Sequence, residues 1–171
     1  LASPSMKRMH QTHELPESVN FSGVIITSRN AVEAITKLDK VNADRSSWAK
    51  LPVFVVGSAT AAAARDAGFL NVIRGDGGGA GLLAPISCYF TEKMGKQKNG
   101  KSSNKNLPLL WPSAVETSFD MVAALAVHGV PVKRLPVYQM IANDALDLTI
   151  TDKITQGAIA AVVATSPRSV Q

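Results

Sequence analysis

The chain has 171 residues, a formal net charge of +5, 46% hydrophobic and 18% charged residues. These proportions suit one globular domain, or one domain with part of another, and are too apolar for a disordered chain. No apolar run approaches the roughly 20 residues of a membrane span, and a single cysteine, Cys88, excludes a disulfide framework and a cysteine-built zinc site.

Residues 1–20 (LASPSMKRMHQTHELPESVN) open on Leu1 and lack the apolar centre of a signal peptide, and the chain reads as an internal segment of a longer protein. Val24-Ile25-Ile26 is a β-branched run expected to form a strand buried on both faces. Thr27-Ser28 then caps a helix carrying Ala31, Val32, Ile35 and Leu38 at helical spacing. Residues 53–56 (VFVV) predict a second strand closed by Gly57-Ser58, and an alanine-rich helix follows over 60–67, ended by Gly68. A third strand is expected over 70–73, and a flexible turn over 75–81 (GDGGGAG) leads into a helix over 82–90. Residues 107–111 (LPLLW) predict a fourth strand, followed by Pro112-Ser113 and a helix over 115–128 that stops at Gly129. The fifth strand spans 132–138 and, after a polar stretch, the sixth spans 159–163. Strands alternating with helical crossovers predict an α/β fold with a parallel sheet between helix layers.

Residues 92–105 (EKMGKQKNGKSSNK) break this rhythm. Lys93, Lys96, Lys98, Lys101 and Lys105 gather there against one acid, Glu92, so most of the positive excess lies in a solvated loop. No aromatic interleaves the run, which argues against a nucleic-acid surface.

Two segments echo each other: 24–32 (VIITSRNAV) and 162–170 (VVATSPRSV). Each sets hydroxyls, free backbone N–H groups and an arginine at a helix N-terminus, which is a ready anion site. Gly57, Ser58 and Thr60 occupy an equivalent strand end, as does Ser113 in Trp111-Pro112-Ser113-Ala114. Alternatively, the threonines and serines only cap their helices. In open parallel sheets the ligand lies beyond the carboxyl ends of the strands, where all these segments converge.

Other chemistry is weaker. Gly75 to Ala80 formally fits a dinucleotide-binding glycine pattern, but the next strand ends Leu110-Trp111-Pro112 without the acid that would hold a ribose. His10, His13 and His128 are scattered, no metal set is visible, and no serine nucleophile has a histidine placed to serve it. Asp144 and Asp147 read as solvated carboxylates, and Cys88, beside Ile86, is expected in the core. Tyr138 ends the fifth strand at the point where the chain leaves one half for the other. It is either a packing residue with a wet hydroxyl or a proton donor.

Several segments, in order, resemble the uroporphyrinogen-III synthase family: residues 23–34 (GVIITSRNAVEA), 53–64 (VFVVGSATAAAA), 78–83 (GGAGLL), 109–113 (LLWPS), 135–142 (LPVYQMIA) and 163–168 (VATSPR). The resemblance covers 21–171 and implies two flavodoxin-like (Rossmann-like) parallel-sheet domains joined by a two-stranded ladder, with the active site in the cleft between them. On that pattern 1–20 is connector, 21–136 the inserted domain, and 137–171 the returning connector strand and the start of the second half of the split domain, which is incomplete here. It implies a cofactor-free lyase that dehydrates and cyclises hydroxymethylbilane, with inversion of ring D, to uroporphyrinogen III.

The missing signal peptide points to the cytoplasm; the protein is expected to be a monomer that engages neither membrane nor nucleic acid, holds no metal, and takes hydroxymethylbilane by transient handover from hydroxymethylbilane synthase. Tyr138 matches the family's connector tyrosine, the candidate acid for the departing hydroxyl. Thr60 matches the threonine of the G-x-A-T segment, and Thr27 and Ser28 match the first Thr-Ser pair. Thr165, Ser166, Pro167 and Arg168 carry the second copy. Arg29-Asn30 departs from the Pro-Arg of many relatives, which weakens a substrate contact for Arg29. Two readings from other classes compete: a non-catalytic anion-binding module, and a phospho-ligand enzyme of the α/β class.

Overall fold

Short runs of β-branched and large apolar residues set the central strands of one sheet. The computed structural model describes residues 5–8, 20–38, 44–96, 107–141 and 148–161. In chain order these form β1 (Ser5–Arg8), β2 (Gly23–Ile26), α1 (Arg29–Thr36), α2 (Arg45–Lys50), β3 (Pro52–Val56), α3 (Ser58–Asp66) and β4 (Asn71–Gly75). A 3-10 turn (Ala80–Leu82) runs into α4 (Leu83–Lys96), followed by β5 (Leu109–Ala114), α5 (Met121–Ala126), β6 (Val132–Ile141) and α6 (Leu148–Thr155). Among the described residues no helix is long and apolar enough to cross a membrane.

The chain divides into two units, Met6–Gln139 and Leu1–Ser5 with Met140–Gln171. The sheet order is β1-β6-β5-β2-β3-β4, and each neighbouring pair from β6 to β4 runs parallel. Taken by themselves, the five parallel strands follow the 3-2-1-4-5 order of the Rossmann type rather than the 2-1-3-4-5 order of flavodoxin. The order reverses between β2 and β5: from β2 the chain proceeds outward to β3 and β4, and from β5 to β6.

Both faces of the sheet are covered, as its sequence pattern requires. Ile25 and Phe54 join Leu109, Trp111 and, from the helices, Ile86 and Leu125 in one core cluster. Val24, Ile26, Val53 and Val55, alternate in their strands, are equally buried, as are Val32, Ile35 and Ala64 on α1 and α3. Phe21 and Trp48 meet at a 5.9 Å ring distance. Gly68 (φ 94°) ends α3 as expected: its N–H bonds to the Arg65 carbonyl and the Phe69 N–H to that of Ala64.

Pro112 sits within β5 although that strand has neighbours on both sides. The β2 pairing involves only Leu109 and Leu110, so Pro112 lies beyond it and its missing N–H breaks no ladder there.

Several expectations need correction. The helix expected over 115–128 begins only at Met121, because the Asp120 carboxylate accepts the Ala123 N–H (3.0 Å) and caps it. Cys88 is exposed rather than in the core. Residues 92–96 continue α4 rather than opening a loop, while 97–105 lie outside the described residues. Within the turn over 75–81, Gly81 is tightly packed, a Cβ there standing 1.5 Å from the Asp76 carbonyl oxygen, whereas Gly77 and Gly78 have nothing within 4 Å of such an atom.

The smaller unit is described chiefly through α6, on which no residue is buried. Its end is a glycine cap, with Gly157 at φ 67° and the Ala158 N–H bonded to the Lys153 carbonyl. Residues 159–161, expected to begin a strand, are irregular and exposed, and 162–163 lie outside the described residues.

Candidate active site

Within the larger unit, the carboxyl ends of the parallel strands gather most of the residues singled out in the sequence. Thr27 follows β2 and is half-buried, and Ser28 is the N-cap of α1. Gly57 follows β3 and takes φ 76°, a left-handed conformation that suits glycine; its N–H bonds to the Gly75 carbonyl at 3.0 Å. Ser58 opens α3 in an exposed position, whereas Thr60 is 6% exposed. Thr165, Ser166, Pro167 and Arg168 lie outside the described residues.

The strand-order reversal brings one pair into direct contact. Tyr138, 6% exposed on β6, places its phenol oxygen 2.7 Å from Ser28 Oγ. Ser28 Oγ also accepts the Ala31 N–H at 3.2 Å, the capping bond that starts α1. With β5 between β6 and β2, the ring spans two strand spacings, about 10 Å between strand axes. The tyrosine is thus fixed from both ends, because its own carbonyl accepts the Val115 N–H at 3.0 Å. The crevice beyond such a reversal is where open α/β sheets bind their ligands.

Ser113 is fully buried, and its hydroxyl is committed within the protein: it donates to the Ala114 carbonyl (2.8 Å) and accepts from Arg134 Nε (3.0 Å). Arg134 also donates to the Ala114 and Val115 carbonyls at 3.0 and 2.6 Å. Its guanidinium lies over the Trp111 ring, 5.5 Å from the centroid. This arginine was not singled out in the sequence, where Lys133-Arg134 looks like ordinary strand decoration. The glycine-rich segment after β4 sits at the sheet edge, away from the reversal, in keeping with the rejected dinucleotide pattern.

What this edge can do chemically follows from its groups. It offers hydroxyls, a phenol and helix-start N–H groups, which suit carboxylates and a proton transfer to oxygen.

Comparison with solved structures gives the same fold. A uroporphyrinogen-III synthetase from Helicobacter pylori 26695 matches with a TM-score of 0.54 and 19% sequence identity. The match covers 86% of this chain and 58% of that one, so the present chain spans little more than half of that protein's length. The family model described as uroporphyrinogen-III synthase HemD (HEM4) matches residues 1–171. With that match extending over its whole length, the chain belongs to the uroporphyrinogen-III synthase family.

Proposed function

We propose that the protein cyclises hydroxymethylbilane to uroporphyrinogen III, with Tyr138 as the acid that assists departure of the hydroxyl. The observation that carries this reading is the Tyr138 phenol held 2.7 Å from Ser28 Oγ at the strand-order reversal. A pure anion-binding module has no use for a proton donor so placed.

The reaction suits such a site. Loss of the hydroxyl is assisted by the electron-rich pyrrole to which it is attached, so neither a metal nor a strong acid is needed. The competing route is closure without inversion of ring D, and the protein's main contribution is therefore to hold the chain so that ring D reacts at its substituted carbon. Thr27, Ser58 and Thr60 supply hydroxyls and helix-start N–H groups for the substrate's acetate and propionate side chains, while Gly57, whose own N–H is bonded to the Gly75 carbonyl, lets the chain turn into that helix start. Thr165, Ser166, Pro167 and Arg168 supply the second set. On the same reading 21–136 is the inserted domain of a two-domain, monomeric enzyme, and 1–20 and 137–171 belong to the connector and the split domain. It works in the cytoplasm on substrate received from the synthase that makes it.

The test is an assay of the full-length protein with freshly generated hydroxymethylbilane, resolving isomer III from isomer I. Isomer III in excess is expected; isomer I alone would remove the proposal. Tyr138→Phe is expected to slow turnover by roughly severalfold to a hundredfold with the fold intact. A variant that instead fails to fold would make Tyr138 a packing residue.

A further inference from the structure

We infer that Ser28 is a positioning residue for Tyr138: its hydroxyl donates to the phenol oxygen and leaves the phenol proton for the substrate. This assignment rests on the synthase reading and replaces the role of substrate ligand that the sequence suggests for Ser28.

A serine hydroxyl has one proton and two lone pairs. The Ala31 N–H takes one lone pair at 3.2 Å, and the phenol oxygen of Tyr138 is the other neighbour at 2.7 Å. Were Tyr138 the donor, its proton would be bound to Ser28 and withheld from any leaving group. With Ser28 as donor, each hydroxyl has a use: the serine proton binds the phenol oxygen, and the phenol proton points elsewhere. Only this second arrangement permits Tyr138 to act as an acid.

The same bond strengthens as the reaction proceeds. As the C–O bond of the hydroxymethyl group breaks, its electron pair stays on oxygen. The pyrrole supplies the pair for the exocyclic double bond, and the Tyr138 proton completes the water molecule. The phenolate then accepts the Ser28 O–H in a charge-assisted bond. It also lies against the N-cap of α1, whose eight residues carry no acid in their first turn. The proton that ring D loses when it regains aromaticity after closure returns to the phenolate, so the protein ends unchanged.

Three substitutions separate positioning from capping. Aspartate caps a helix as well as serine but can only accept hydrogen bonds once ionised. Ser28→Asp is therefore expected to keep its thermal midpoint yet lose turnover. Ser28→Ala should lower kcat by about 10- to 100-fold, the worth of one hydrogen bond to a charged group, with KM within about twofold. Ser28→Thr, which retains the hydroxyl, should recover kcat to within about threefold of the parent. An activity-independent reading comes from the ring-carbon NMR signal of Tyr138, labelled with 13C-tyrosine and distinguished from that of Tyr89 by Tyr138→Phe. That signal should move in Ser28→Ala and Ser28→Asp and return in Ser28→Thr.

Full activity in Ser28→Asp would make Ser28 a cap only. A raised KM with unchanged kcat in Ser28→Ala would make it a substrate ligand, and an unmoved Tyr138 signal would mean that no such bond exists. Each of these overturns the assignment. If the parent protein yields isomer I alone, the synthase reading fails, and with it the catalytic role of Ser28, while the NMR signal still reports whether the bond is made.

Discussion

Arg134→Ala removes a guanidinium that ties the end of β5 to β6. Three hydrogen bonds go with it, to Ser113 Oγ, the Ala114 carbonyl and the Val115 carbonyl, together with the stacking on Trp111. The bond to Ser113 would be the costliest if it left a buried hydroxyl unpartnered, but that hydroxyl still donates to the Ala114 carbonyl. Arg134 itself is exposed, so its partners on the carbonyl side regain water and the loss stays modest. A net loss of about 1–2 kcal/mol is expected, taking the lower end for each hydrogen bond and for the cation–π contact. For a chain of this length that corresponds to a thermal midpoint lower by about 2–8 °C.

Arg134→Lys keeps the charge but not the fork that reaches three oxygens, and should fall between the two. Because the Val115 N–H holds the Tyr138 carbonyl, loosening this corner should also lower kcat more than it raises KM. Thermal unfolding followed by circular dichroism, with kinetics on the same samples, checks both. A midpoint within about 1 °C of the parent, coupled to a raised KM, would mean that Arg134 binds substrate carboxylates instead.

Two further substitutions probe the fold around the site. Gly81→Ala would place a methyl group 1.5 Å from the Asp76 carbonyl oxygen, a clash with backbone rather than with a yielding side chain. A loss of more than about 3 kcal/mol, or failure to fold, is expected by urea unfolding. Cys88→Ser should change stability by no more than about 0.5 kcal/mol, since the thiol is exposed. A loss of several kcal/mol would place that side chain back in the core.

The sequence made the sheet legible because each buried parallel strand is a short apolar run ended by Gly, Ser or Thr. Elements without that contrast escaped. Helix α2 has six residues and a single buried one, Trp48, too short for an apolar stripe, and α6 buries none of its residues. The start of α5 was misplaced because the apolar spacing of Val115 and Phe119 continues through a non-helical segment until Asp120 supplies the cap. Cys88 was misassigned by its closeness in sequence to Ile86, although two residues along a helix lie on nearly opposite faces.

At the candidate site, the strand-end hydroxyls could be picked out locally, but the Ser28–Tyr138 contact could not. The two residues are 110 positions apart, and only the order in which strands pair decides that β6 and β2 lie close enough. Arg134 escaped for the same reason, since its partners belong to the neighbouring strand and the loop beyond it.

Charge at this edge also differs from what the overall +5 suggests. Arg74 pairs with Asp76 at 3.3 Å, and Arg134 is engaged by Ser113 and two carbonyls. Arg134 thus serves structure, and the densest run of lysines lies in 92–105. For a substrate with many carboxylates this favours recognition by fixed N–H groups and hydroxyls over recognition by mobile ammonium groups. The difference has a chemical consequence. A flexible lysine would neutralise a carboxylate in many geometries and so would tolerate closure with or without inversion of ring D. Donors fixed to strand ends and helix starts accept few geometries, and on the proposed function, where the two outcomes differ only in how one ring is turned, that restriction would select the product.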